Sequence, residues 1–175
     1  IVKLLSSSQG KKLLLVTAPA GFGKTTLVNE FTSSLGKTTA WVHVTPDIKN
    51  VFNLLTYITS SLNRINEQFG DVIFETIQLI ENDTEKINDI DSALSELAGL
   101  MINELLMKFS EEILIVIDDL HELHNEKNVD HFIDLLINDL PDNIQIVIIS
   151  RELPNLNLSH LRAKRLLGEV TQKEL

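Results

Sequence analysis

The chain of 175 residues contains no cysteine, one tryptophan, one tyrosine and four prolines. Without cysteine there is neither a disulfide framework nor a thiolate metal site, and the composition suits a reducing cytoplasm, the expected location. Long hydrophobic runs are missing too: none approaches the ~18 residues of a membrane-spanning helix, so no membrane association is expected. The opening Ile1-Val-Lys-Leu-Leu-Ser-Ser-Ser has neither the apolar length nor the cleavage-like site of a signal peptide. Positive charge is scarce: 15 Lys and Arg face 25 Asp and Glu, a formal net charge of −10. An acidic surface repels a phosphate backbone, which argues against non-specific nucleic-acid binding by this chain and assigns any DNA reading to other domains.

What is present is an alternation of short apolar runs and amphipathic stretches. Lys12-Leu-Leu-Leu-Val-Thr17, Thr39-Ala-Trp-Val-His-Val44, Ile113-Leu-Ile-Val-Ile-Asp118 and Ile144-Gln-Ile-Val-Ile-Ile-Ser150 read as strands, and Leu166-Leu-Gly-Glu-Val170 as a fifth. Between them, apolar residues recur at helical spacing: Leu27, Val28, Phe31 and Leu35, closed by Gly36; Val51 to Ile65; Leu94 to Phe109; Val129 to Leu140. Residues 66–90 are polar and acidic around a weaker pattern (Val72, Ile73, Phe74, Ile77, Ile80) and predict a short helix within loops. Strands alternating with helices predict one α/β domain over residues 1–175, a three-layer sandwich with a five-stranded parallel sheet. Trp41 and Phe52 are expected in the core. Thr171-Gln-Lys-Glu174 has the spacing of a capping box that opens a helix, yet the sequence stops one residue later, so the chain reads as one domain of a longer protein.

Chemistry concentrates in Ala18-Pro-Ala-Gly-Phe-Gly-Lys-Thr25, which lies between the first strand and the first helix. That order is what a phosphate-binding P-loop needs. Gly21 and Gly23 let backbone N–H groups turn inward with Ala20 and Phe22, and the helix N-terminus adds its positive dipole. Lys24 reaches the β- and γ-phosphates of ATP, Thr25 offers a hydroxyl to Mg²⁺, and Thr26 is placed for the α-phosphate. The usual first glycine of the motif is Ala18 here, a mild departure, because Gly-Lys-Thr is intact.

A second signature follows at the end of the third strand. An apolar run ending in acid places Asp118 on the magnesium side and Asp119 where a carboxylate orients an attacking water. Aspartate reaches about one methylene less far than the glutamate common there, so any ATPase activity is expected to be slow. If Ile144–Ser150 is a strand inserted beside the P-loop strand, Ser150 and Arg151 face the γ-phosphate. His121 and His124 lack the spacing of a zinc motif, and His121 reads as a structural neighbour of the acids.

These segments together resemble the STAND class of P-loop ATPases, in the branch of MalT-like and large ATP-binding LuxR-type transcriptional regulators. The resemblance is carried by Ala18 to Leu27, Thr39 to Val44, Val116 to His121, Ile149 to Pro154 and Leu161 to Val170. It implies a sheet order of 5-1-4-3-2 and a switch that ADP holds closed while ATP and an inducer open it, with self-association in the open state. It also implies winged-helix, sensor and promoter-DNA-binding domains elsewhere in the protein. The family's adenine-contacting segment before the P-loop is expected to be mostly missing here. Two other readings stay open: a remodelling ATPase of AAA+ type, which normally carries glutamate at position 119, and a P-loop kinase, which normally has an arginine-rich lid.

Overall fold

A computed structural model describes residues 10–83 and 88–175; the expectations for residues 1–8 lie outside this range. The elements are β1 (Leu13–Thr17), α1 (Lys24–Leu35), β2 (Thr38–His43), α2 (Val51–Asn63), α3 (Asp71–Glu81), α4 (Ile90–Lys108), β3 (Ile113–Asp118), a 3₁₀ turn (Leu120–Leu123), α5 (Lys127–Asp139), β4 (Ile144–Ser150), α6 (Leu158–Ala163) and β5 (Leu167–Thr171). All four strand pairings are parallel, in the order β2-β3-β4-β1-β5. This is the expected 5-1-4-3-2 order seen from the opposite edge, with β4 inserted between β1 and β3.

The continuous apolar runs have a direct physical cause. Successive side chains of a strand point to opposite faces, and here both faces are covered. Leu13 and Leu15, Ile113, Ile115 and Ile117, and Ile144, Ile146 and Ile148 enter one large core. Leu14, Val16, Val116, Val147 and Ile149 enter a smaller one on the reverse face. The large core is roofed by residues of α2 to α6; the small one holds Val28 and Phe31 of α1, with Trp41 half-buried at its margin. Gly36 closes α1 in the left-handed conformation, its N–H donating to the Ser33 carbonyl.

The structure extends the sequence-based outline in three places. The short helix expected within 66–90 is the 11-residue α3, which buries Ile73, Ile77 and Ile80 and leaves Val72 half-exposed. It starts at Gly70, whose φ of 104° and lack of a side chain are both required, since a Cβ there would lie 2.3 Å from Thr59 Cγ2. The buried Glu104 of α4 accepts the Gly70 N–H at 2.6 Å and so fixes this entry. Second, α6 was not anticipated; Leu158 and Leu161 seat it on the large core, and Arg162 forms a two-pronged pair with Glu169 of β5. Third, one arm of the expected capping box forms, with Glu174 accepting from both the N–H and the hydroxyl of Thr171, but residues 172–174 make a turn after β5 and not the first turn of a helix. Among the described residues no helix is long and apolar enough to cross a membrane.

Candidate nucleotide site

Parallel pairing brings the carboxyl ends of β1, β3 and β4 to one edge of the sheet, the place where open α/β sheets bind ligands. Residues 18–23 leave β1 there and turn into α1. Gly21 and Gly23 have φ of 85° and 73°, a backbone that other residues adopt only with strain. Gly23 is the N-cap and offers no side-chain cap, so the first N–H groups of α1 stay directed at the loop. The Ala18 N–H donates to the Ser150 carbonyl at 3.4 Å, tying the start of the loop to the end of β4.

Lys24, though charged, is buried, and its ammonium donates to the Pro19 carbonyl at 3.0 Å across the inside of the loop. Thr25 donates from Oγ1 to Asp118 Oδ1 at 3.2 Å. This bond joins the two motifs that lie 93 residues apart in sequence. Ala20, Phe22 and Thr26 are exposed along the loop and the first turn of α1.

Asp118 ends a strand that is buried throughout and is itself 1% exposed. Burial pushes its carboxyl above the ordinary value of 3.8; the Thr25 hydroxyl and His43 oppose the shift, while the neighbouring Asp119 reinforces it. Asp119 takes a left-handed backbone, φ 59° and ψ 37°, uncommon for a residue with a side chain. The kink turns its carboxylate between two imidazoles, with His43 Nδ1 3.8 Å from Oδ2 and His121 Nδ1 3.7 Å from Oδ1.

His43 is the neighbour of the acids that sequence reasoning missed. It is the last residue of β2, in register with Asp118, and its Nδ1 lies 3.6 Å from Asp118 Oδ2. His121 lies beside the acids as expected. Both of its ring nitrogens are buried without a hydrogen-bond partner; Nε2 is 3.3 Å from Glu122 Oε1 but lacks hydrogen-bond geometry. His124 bonds only locally, through Nδ1 to the His121 carbonyl at 2.7 Å.

Arg151 follows β4 and is exposed. With Thr17, Ala18, Pro19 and Lys173 it walls an open groove of about 480 Å³ beside the start of the loop. That volume falls within the usual ligand-pocket range. The sheet thus brings Lys24, Thr25, Asp118 and Asp119 together and sets Arg151 at the border of the same edge.

The donors fit a nucleotide-bound Mg²⁺. Thr25 Oγ1 and Asp118 Oδ1 are hard oxygen ligands whose 3.2 Å separation is close to the ~3 Å edge of an octahedron with ~2.1 Å bonds. A cation there also offsets the cost of keeping Asp118 charged while buried.

The family model described as nephrocystin 3, N-terminal, matches residues 2–151. Among curated proteins, the chain is 26% identical over its whole length to the HTH-type transcriptional regulator MalT of Vibrio parahaemolyticus, of which it covers 18%. It is likewise 26% identical over 98% of its length to MalT of Yersinia pestis, again covering 18%. The chain therefore spans about a fifth of the length of these relatives. Among solved structures, a chain of Drosophila ORC bound to AT-rich DNA and Cdc6 superposes with a TM-score of 0.56 at 12% identity, covering 97% of this chain and 51% of that one. The Aeropyrum pernix ORC1 protein in complex with DNA gives 0.53 at 14% identity, with 97% and 42% covered. At such identities the likeness shows the fold, a parallel α/β sheet of this strand order, and nothing finer.

Proposed function

The chain belongs to the nephrocystin 3 N-terminal family, as a P-loop ATPase domain of the MalT-like kind, and from that premise we propose that it is the ATP-binding switch domain of a longer, cytoplasmic transcriptional regulator. The observation that carries this reading is the Thr25–Asp118 hydrogen bond, which locks the lysine loop to the buried acid of β3. Residues 1–175 form the single nucleotide-binding domain, and the remainder of such a regulator supplies the inducer sensor and the promoter-DNA reader. Support comes from the relatives' description as HTH-type transcriptional regulators and from the small share of them that this chain covers.

In the proposed site, N–H groups of Ala20 to Gly23 and the start of α1 cradle the β-phosphate, and Lys24 spans the β- and γ-phosphates. Thr26 contacts the α-phosphate. Thr25 and Asp118 would hold Mg²⁺, which would supply positive charge against the phosphates. Asp119 orients the attacking water, and Arg151 approaches the γ-phosphate from β4. A short carboxylate on a constrained backbone suits slow turnover, the property of a switch and not of a motor. In the ATP state the domain exposes a surface for self-association.

Calorimetry of the chain with ATP-Mg and ADP-Mg tests binding, and Asp119→Asn is expected to bind ATP like the wild type while hydrolysis slows by about 100-fold. Turnover in the full-length regulator, with and without inducer, tests the switch. Rapid hydrolysis that ignores the inducer would sink it.

A further inference from the structure

His43, Asp118 and Asp119 present one nitrogen and two oxygens that all lie within 4.8 Å of one another. The imidazole Nδ1 is 3.6 Å from Asp118 Oδ2 and 3.8 Å from Asp119 Oδ2. Both separations are too long for hydrogen bonds. They are somewhat wider than the ~3.0–3.4 Å ligand–ligand edges of octahedral and tetrahedral sites with ~2.1 Å metal–ligand bonds, so a small inward turn of the exposed His43 would close them on an ion. Donors that converge without bonding one another are placed as ligands around an ion are placed.

Two further observations point the same way. Asp118 uses different oxygens for its two neighbours, Oδ1 for Thr25 and Oδ2 for His43. The nucleotide's cation and an ion held by His43 would therefore share Asp118 without competing for one oxygen. Behind Asp119, His121, whose two ring nitrogens are buried without a hydrogen bond, sets Nδ1 3.7 Å from the other carboxylate oxygen. At that distance the imidazole makes no hydrogen bond and stands as an unmet polar group beside the carboxylate.

We propose that the paired ends of β2 and β3 form a second cation site, in which His43 Nδ1, Asp118 Oδ2 and Asp119 Oδ2 bind a divalent transition ion such as Mn²⁺ or Co²⁺. An imidazole ligand with two carboxylates favours these ions over Mg²⁺ and Ca²⁺, which take oxygen alone. The His43 side chain is 56% exposed, so water completes the coordination from the solvent side. The site shares Asp118 and Asp119 with the proposed nucleotide site, taking the Oδ2 of each, but needs no nucleotide to form.

The test is a titration of the 175-residue chain with MnCl₂ in the absence of nucleotide, read by pulsed electron paramagnetic resonance for ¹⁴N coupling from an imidazole. Wild-type protein should show the coupling, and ¹⁵N-histidine labelling should replace it with the ¹⁵N pattern without any mutation. In His43→Ala the coupling should vanish and Mn²⁺ affinity fall by about tenfold or more. Lys24→Ala, which disables only the proposed nucleotide site, should keep coupling and affinity. Mn²⁺ bound without ¹⁴N coupling, or with equal affinity in wild type and His43→Ala, overturns the site. Coupling that requires ATP and is lost in Lys24→Ala overturns it as a separate site, whereas failure of ATP binding with Mn²⁺ coupling intact would count against the nucleotide reading alone.

Discussion

On one face of the sheet, five helices and the turn that carries Phe69 bury Phe132, Leu54, Leu97 and Met101 over β1, β3 and β4. On the other face, among the described residues, α1 is the helix that sets Val28 and Phe31 against Leu14, Val16, Val147 and Ile149. The helix that carries the lysine loop thus lies on the thinly covered side. Its position depends on a few contacts, while the sheet edge it must meet is held rigid from behind. Asp118 shares the thin face with Val116, at the end of a strand whose Ile113, Ile115 and Ile117 are held by the thick one; Lys24 and Thr25 are brought to it by α1. Cutting into either face separately tells whether stability and nucleotide binding divide along the same line.

The largest effect is expected from Phe132→Ala on the thick face. It should lower unfolding stability by about 3–5 kcal/mol in urea titrations, with ATP affinity of the folded protein unchanged. Lys24→Ala should do the reverse, weakening ATP binding by about 100-fold in calorimetry while the urea midpoint stays nearly where it was; normal binding would break the site assignment. Val28→Ala lies between them. Loss of two buried methyl groups should lower stability by about 1.5 kcal/mol, yet ATP affinity should fall more than in Phe132→Ala, because Val28 is one of the two fully buried apolar side chains by which α1 meets the sheet among the described residues.

The smallest effect concerns a charge on the thick face. Burial raises the Asp130 carboxyl above 3.8; an N–H from Asn155 opposes the rise and Asp134 reinforces it. A raised carboxyl favours the protonated native form, so its contribution is fully present below pH 3.8 and is lost as pH rises through the folded value. Asp130→Asn keeps an acceptor for Asn155 and removes the charge. Its urea midpoint should exceed that of the wild type at pH 7, and the gain should vanish as the pH falls below 3.8. A gain that persists in acid would assign the effect to packing.

The thick and thin faces were not equally legible in the sequence. Continuous runs such as Leu13 to Val16 and Ile144 to Ile149 announced strands buried on both sides, and the order of strand, glycine loop and helix announced the phosphate cradle. Local order reaches only as far as neighbouring residues, however. His43 carried no signal because its meaning comes from register with Asp118, set by hydrogen bonds between β2 and β3. The helix α6 was overlooked because a single turn and a half with two buried leucines gives no full period to recognise. The length of α3 was underread because its start depends on a tertiary contact, the Gly70 N–H bonded to Glu104.

The left-handed backbone at Asp119 also narrows which amino acids the position admits. Aspartate, asparagine and glycine tolerate that conformation, whereas a longer acid such as glutamate enters it at a cost. Under the proposed function, the side chain best suited to activating water is the one that the main chain disfavours here. The pace of the switch would then be set by a pair of dihedral angles at the end of β3, and the domain would keep time by the geometry of its own backbone.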